Sequence, residues 1–397
     1  MEQKLKNKVI IFGRDNYNTL GLARQLGNEN LDLLFLMPEG IHHCATKSKY
    51  CKNVVHVKDH SEAIEYLLNH NLDEEYKPII VAGADLEAEA LDQNRDALVK
   101  HYIVPGTSEQ NLLTKVDDKN LMVKMAEEIG FNVPKSIMIT AESIIPDDLV
   151  FPCFIKPAKY PVNHKKEFKM KKCDNRNQLE DTLRQVRKDS VFIVQEYIPK
   201  DVEIWVTGCR TWDKKVTIAG TGYRYRYMND ISRGHITKGI SELINIDHVK
   251  TMLERIDFYG VFSFEFGRYN GKAYFFETNL RNDGANYSVF KSGANLPLVW
   301  VYSSAGLDYS IVPSYVKDEL WYMDEIYDCL NIKKGIVTKE QWQKDRENTQ
   351  VFRYYDKDDI EPWKYVYRRR HLLRAKKMIL DKYRPQIVRL LNVFHKR

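Results

Sequence analysis

Hydrophobic positions in the first hundred residues fall into two textures. Short unbroken apolar runs, VIIF at 9–12, LDLLFLM at 31–37 and PIIVAGAD at 78–85, alternate with stretches of helical period at 20–27 and 61–69. Continuous apolar runs bounded by glycine or polar residues read as strands buried on both faces, and strands alternating with helices imply a parallel sheet covered on both sides. Such sheets take ligands beyond the carboxyl ends of their strands. The loops at 13–19 and 82–87 are therefore candidate substrate loops. Past residue 112 the pattern changes. TKVDDKNLMVKMAEEIG at 114–130 reads as a helix stopped by Gly130, followed by an extended NVPKSIMI. Residues 151–198 read as strand, basic loop, strand, helix (177–188) and strand. Between 200 and 280 the period falls to two in VEIWVTG, KVTIAGTGYRYRY, VFSFEFG and KAYFFET, which predicts an antiparallel sheet. Helices are expected from about residue 294 onward, giving an α/β (α+β) chain.

The alternating segment 261–286, VFSFEFGRYNGKAYFFETNLRNDGAN, contains Asn270-Gly271 between two apolar runs, a strong hairpin signal. A two-residue turn would pair Glu265 with Phe276 and put Glu265 and Glu277 on opposite faces. A three-residue loop, Tyr269-Asn270-Gly271 with a left-handed Gly271, pairs Glu265 with Phe275 and sets Glu277 diagonally beside Glu265. We predict the bulged loop. Glu265, Glu277 and Asn279 then share one face while Phe262, Phe264, Phe266 and Phe276 fill the other, and Arg281 continues the polar face. Two carboxylates and an amide oxygen are hard ligands that suit magnesium, which completes its octahedron with water and nucleotide phosphates. The alternative is a surface hairpin whose acidic residues face water.

Around this hairpin the order and spacing of FPCFIKP at 151–157, VQEYI at 194–198 with Glu203 following, and FEFGRYNGKAYFFETNLR at 264–281 resemble the ATP-grasp ligases, over roughly residues 8–300. The resemblance implies a Rossmann-like unit at 1–112, a linker helix and lid unit at 113–198 and a catalytic unit at 199–320; the remainder, 321–397, reads as a basic helical extension. It also implies ATP and Mg2+ as cofactors. Lys156 and the earlier Lys119 would grip phosphates, backbone groups of Glu196, Tyr197 and Ile198 would meet adenine, and Glu203 would hold the ribose. Glu265, Glu277 and Asn279 fall on the magnesium ligands, and Arg281 on the arginine that stabilises charge at an acyl phosphate. Among Arg224, Arg226 and Arg233, Arg226 is the expected phosphate contact. One departure stands out: AKYPVNHKKEFKMKKC at 158–173 has no glycine where the family's phosphate-covering loop is glycine-rich. Its phosphate contacts would then come from Lys165, Lys166, Lys171 or Lys172 rather than from backbone amides.

The implied reaction joins a small-molecule carboxylate to an amine through an acyl phosphate. GRDNYNTLGLARQLG at 13–27 resembles the opening of D-aspartate ligases and relatives that modify cell-wall or capsular precursors. Arg14, Asn16 and Asn18 could bind a carboxylate above a helix N-terminus, or serve only as turn and cap residues; Asp85 and Glu87 could hold an amine. An ATP-grasp enzyme of small-molecule metabolism and a non-catalytic nucleotide-binding module remain as alternatives.

Composition narrows the rest. With 397 residues, 43% hydrophobic and 29% charged, the chain exceeds a single core and is neither disordered nor fibrous. No apolar run approaches the roughly 18–20 residues that cross a bilayer, and the N-terminus lacks a signal-peptide core, so a cytoplasmic location is expected. Six scattered cysteines without a C-x-x-C pair point to reduced thiols, HHCATKSKYC at 42–51 being the one weak metal alternative. The net charge of +6 conceals an asymmetry, because residues 363–397 hold twelve Lys and Arg against one acidic residue. That tail reads as a helix packed on the body or on a second subunit, or as peripheral contact with an anionic membrane. Nucleic acid is not an expected partner, since no reader motif accompanies the charge.

Overall fold

The computed structural model describes residues 4–39, 43–72, 74–116, 119–158, 168, 170–188, 190–227 and 231–372. The three apolar runs of the N-terminal part become β1 (Val9–Phe12), β2 (Leu33–Pro38) and β4 (Ile79–Ala82); with β3 (Val54–Val57), which the pattern did not announce, they form a parallel sheet in the order β3-β2-β1-β4. Helix α1 (Tyr17–Gly27) covers one face; α2 (His60–Asn69), α3 (Asp85–Gln93) and α4 (Arg95–Leu98) cover the other, packing on Ile10, Phe12 and Ile80. Asn16 caps α1 by accepting from the Asn18 and Thr19 amides, and Asp59 caps α2. A short strand, β5 (Gly106–Thr107), then joins this part to the large sheet by pairing with Phe258 and Tyr259.

After α5 (Leu112–Val116) and α6 (Lys119–Ile129) comes a second sheet of four antiparallel strands, in the order β6-β9-β7-β8. It is built from β6 (Ser136–Thr140), β7 (Cys153–Pro157), β8 (Lys171–Cys173) and β9 (Val191–Glu196). One face buries Ile139, Cys153, Ile155, Phe192 and Val194 against Leu179 and Leu183 of α7 (Arg176–Arg184). The period of two therefore turns Met138, Lys156, Ile193 and Gln195 to the opposite face.

The largest sheet runs β14-β13-β10-β11-β12-β15-β16. Its first strands are β10 (Val202–Arg210), β11 (Val216–Tyr227) and β12 (Ile231–Thr237), then β13 (Phe258–Tyr269) and β14 (Lys272–Asn279) after α8 (Ile246–Arg255). One face packs Phe262, Phe264, Phe266 and Phe275 against α6 and α8. The other face packs Trp205, Cys209, Ala219 and Val261 against the parallel sheet, α1, α9 (Asn286–Lys291) and α10 (Leu296–Ser304). Gly222 lies under Trp205, which is 1% exposed. A Cβ there would fall 1.9 Å from the indole, so Gly222→Ala is expected to cost about 1–3 kcal/mol or more through overpacking, read as a lower urea midpoint.

The C-terminal extension departs from the helical expectation. It contributes β15 (Leu320–Met323), antiparallel to β12, and β16 (Val351–Phe352), parallel to β15, besides α11 (Leu330–Lys333), α12 (Lys339–Glu347) and a helix at 361–372. LWYM offers only four apolar residues, too few to separate a strand from a helix by period. In that last helix Trp363 packs on the core and Lys47 sits 5.2 Å from the Tyr365 ring, so its described part lies on the body. The basic residues from 373 onward lie outside the described residues. Among the described residues no helix is long and apolar enough to cross a membrane.

Candidate functional site

The site grows from the β13-β14 hairpin. Its turn is the two-residue Asn270-Gly271 form, with φ of 49° and 70° at the two residues and Tyr269 paired with Lys272. This corrects the three-residue loop expected above. The bulge lies farther along, at Phe276: Phe266 pairs with Phe275, but Glu265 pairs with Glu277 and Ser263 with Asn279. The glutamates are thus directly opposite rather than diagonal. Phe275, fully buried, fills the apolar face in place of the expected Phe276, whose ring covers Gly267 with the Lys200 ammonium 5.2 Å from its centroid. Turn chemistry favoured Asn-Gly; the carboxylate pair is preserved by the extra residue in β14.

On this face Asn279 donates its amide to Glu265 at 3.0 Å, and its carbonyl oxygen accepts from Arg281 at 2.8 Å. Arg281 also reaches across to the parallel-sheet part, donating to Asp85 at 2.7 and 3.3 Å. Burial alone would lower its pKa; the charges of Asp85 and Asp283 overcome this and hold it above the usual arginine value. Asp283 lies 3.8 Å from both Arg281 and Arg224.

The most buried cation here is Arg224, 3% exposed, in β11. It donates to both Glu265 oxygens at 2.5 and 2.8 Å and stands 3.5 Å from Glu203. Burial works against its charge, but Glu265 holds it firmly protonated. Arg226, the expected phosphate contact, belongs elsewhere. It donates to Asp328 at 3.1 and 2.7 Å and to Asp345, so the C-terminal extension has claimed it. A bulge between Arg224 and Arg226 breaks the alternation that would have put both on one face. Arg233 joins the same cluster, 3.6 Å from Asp345 and stacked 4.1 Å from the Trp321 ring.

Glu203, 9% exposed, pairs with Lys200 as well as Arg224. The Lys200 ammonium is depressed first by burial and then by Arg224, while Glu265 and Glu277 counter them. Lys200 and Asp283 were missed in the sequence; each sits one or two positions beyond a recognised motif, in IPKDVE and NLRND, where nothing in the alternation singles it out.

Lys156 projects from β7 and donates to Gln195 at 3.1 Å. Together with Met138, Ile193 and Glu196 it borders a cleft of about 480 Å3, closed on the far side by Val123 and Lys124 of α6. The N–H of Glu196 is used by Lys135 O at 2.8 Å and that of Tyr197 by Pro152 O at 3.0 Å, whereas among the described residues no hydrogen bond engages the N–H of the buried Ile198. Lys119 opens α6, but its side chain lies outside the described residues, as do Lys165 and Lys166. Lys172 is 2.7 Å from Asp174 and 4.7 Å from the Tyr197 ring centroid.

A magnesium ion with its nucleotide fits this donor set. Glu265, Glu277 and Asn279 supply hard oxygens from one face, and among the described residues no three His, Cys, Asp or Glu side chains converge into a complete protein cage. Carboxylate and amide oxygens are hard ligands of the kind magnesium takes, with water and phosphate oxygens completing its shell. At 42–51 the weak metal alternative gains nothing: Cys44 and Cys51 are buried free thiols, Cys51 pushed up to about 12 by burial and by Asp15.

No protein-family model matches the sequence, and no curated protein matches it. Solved structures do share its fold. An ADP complex of an N5-carboxyaminoimidazole ribonucleotide synthetase superimposes with a TM-score of 0.63 at 13% identity, over 84% of this chain and 86% of that one. The N5-carboxyaminoimidazole synthetase of Staphylococcus aureus gives 0.63 at 14%, over 86% and 87%. An L-amino acid ligase from Bacillus licheniformis gives 0.60 at 14%, over 80% of each chain. The three-sheet arrangement is the ATP-grasp fold that the motifs resemble.

Proposed function

We propose that the chain is an ATP-dependent, ADP-forming ligase that activates the carboxylate of a small molecule as an acyl phosphate and passes the acyl group to an amine. The observation that carries this reading is the convergence of Glu265, Glu277, Asn279 and Arg281 on one sheet face. In this reading the Ile198 N–H and the hinge carbonyls meet adenine, Glu203 holds the ribose, and Lys156 and Lys119 grip phosphates. Magnesium on Glu265, Glu277 and Asn279 would neutralise charge on the transferring phosphoryl oxygens. Arg224 holds Glu265 and Glu203 in place. Arg281, oriented by Asp85 and the Asn279 carbonyl, faces the negative charge that develops when the amine attacks.

The named neighbours, carboxyaminoimidazole ribonucleotide synthetases and an L-amino acid ligase, favour a small-molecule substrate. An amino acid added to a cell-wall or capsular precursor, the other reading, draws on the 13–27 motif alone, and membrane contact on the charge of the tail alone. Calorimetry of ADP binding tests the nucleotide half. Lys156→Met is expected to weaken ADP by roughly tenfold or more, the scale of one charge-assisted phosphate contact of about 1.5–3 kcal/mol; an unchanged affinity would remove Lys156 from the site.

A further inference from the structure

Between β9, which ends at Glu196, and β10, which starts at Val202, the chain crosses from the second sheet to the large one, and Lys200 stands in this crossing. Its backbone is pinned. The Lys200 N–H donates to Ile198 O at 2.8 Å and the Asp201 N–H to Arg268 O at 3.1 Å, while the Asp201 carboxylate accepts from Arg268 at 2.8 and 3.0 Å. The ammonium is held far less. Among the described residues its one hydrogen-bond partner is Glu203, and it lies 5.2 Å from the centroid of the Phe276 ring and 5.3 Å from that of Tyr227. Ring faces attract a cation without taking up its N–H donors. An ammonium has three donors, so two are unspent, on a side chain that is 35% exposed.

The charges around Lys200 say what those donors face. Three carboxylates, Glu203, Glu265 and Glu277, meet two cations, Lys200 and Arg224. Arg224 is buried and closed in by Glu265 and Glu203, so it cannot turn to an incoming anion. Lys200 can. The ring of Phe276 beside it belongs to the residue before Glu277, which puts the ammonium next to the metal face. At the other end of the crossing Glu196 borders the 480 Å3 cleft. A nucleotide with its base in that cleft and its phosphates on the metal face therefore has Lys200 alongside it. The other lysines near the site come from different elements: Lys156 is on β7 and donates to Gln195, and Lys172 is on β8 and pairs with Asp174.

We propose that Lys200 is a further phosphate contact of the nucleotide site, giving its two unspent N–H donors to the polyphosphate while Glu203 keeps the third. The proposal rests on the ligase reading for the presence of a nucleotide. It deepens that reading by assigning a cation that neither the spacing of the motifs nor the alternation of the strands singles out. Two opposite effects follow from one charge. Toward a metal ion arriving alone, the ammonium is a competitor, because it already offsets the carboxylates that would hold the ion. Toward a polyphosphate it is an attraction. A lysine that only props Glu203 would show neither.

Calorimetry on the full chain, with ADP, adenosine and Mn2+ as separate probes, tests it. Lys200→Met should weaken ADP by roughly tenfold or more, the scale of a charge-assisted contact, and leave adenosine, which has no phosphate, unchanged. The same variant should bind Mn2+ without nucleotide roughly threefold more tightly or better, since a positive charge beside the carboxylates has gone. Lys200→Arg keeps the charge and should keep ADP within roughly threefold of the wild type. An equal loss of ADP and adenosine would assign Lys200 to propping Glu203 and overturn the proposal, as would weaker Mn2+ binding in Lys200→Met. ADP bound equally by the wild type and Lys200→Met refutes this inference and leaves the ligase reading standing; a wild-type chain that binds no ADP refutes both.

Discussion

Glu277→Gln is expected to lower magnesium-dependent ADP formation by more than about 100-fold while the thermal midpoint stays that of the wild type. Even an outer-shell partner of a metal ligand is worth roughly 10–100-fold, and this substitution removes a charge from the proposed ligand itself without altering its volume. Fold stability should change little because residue 277 is exposed and the backbone ladder holds its strand to β13. Glu265→Gln makes the contrast. Glu265 is the bidentate partner of the buried Arg224, so its loss should lower both activity and stability. Near-normal turnover in Glu277→Gln, measured by coupled ADP release, would remove the metal assignment.

The second large effect concerns how the sheets are tied together. Asp359 accepts from Arg24 at 2.9 Å, Ser48 Oγ at 2.8 Å and the Lys49 amide at 2.9 Å, and both Arg24 and Asp359 side chains are 2% exposed. The C-terminal extension thereby straps the parallel-sheet part to the large sheet that it extends through β15 and β16. Asp359→Ala leaves Arg24 buried and uncompensated, which should cost about 3–5 kcal/mol. Replacing Arg24 and Asp359 together by leucine should cost much less, since no charge is left stranded. Equilibrium urea unfolding of the three proteins checks both statements; a loss below about 1 kcal/mol in Asp359→Ala would mean that the strap does not hold the parts together.

The neighbouring Asp356 gives the strap a pH signature. Burial would raise its carboxyl, but hydrogen bonds from Tyr287, the Asp358 amide and Lys291 hold it at about 2 against an ordinary 3.8. A depressed carboxyl adds stability above its unfolded value, and that stability is lost as pH falls through the folded value. The difference amounts to about 2 kcal/mol, present above pH ~4 and gone near pH ~2. Wild type and Asp356→Asn should therefore differ by that amount at neutral pH and converge on acidification. A gap that stays constant with pH would assign the effect to packing.

What the sequence made legible follows the reach of each interaction. Three of the parallel strands, β1, β2 and β4, and α1 stood out because apolar runs and a capping Asn16 are local signals; β3, whose VVHV carries a histidine, did not. The face shared by Glu265, Glu277 and Asn279 was legible too, because alternation carries a side chain's direction along a strand. Where the prediction failed, a partner distant in sequence decided. The hairpin kept the favoured Asn-Gly turn and moved its bulge to Phe276, since Phe275 was needed to fill the core against α6 and α8. Arg226 and Arg224 look alike in GYRYRY; carboxylates 102 and 119 residues later, Asp328 and Asp345, drew Arg226 away. The strands β15 and β16 form only because β12 offers an edge, which their own few residues cannot announce.

Release of ADP and phosphate by the wild-type chain with magnesium, screened against amino acids and small carboxylates alone and with amine acceptors, tests the central claim most directly. The account predicts that one carboxylate stimulates ADP formation and that an amide product then appears in equal amount. ADP that binds but is never formed from ATP, whatever the carboxylate, would contradict it and leave a nucleotide-binding protein without ligase chemistry.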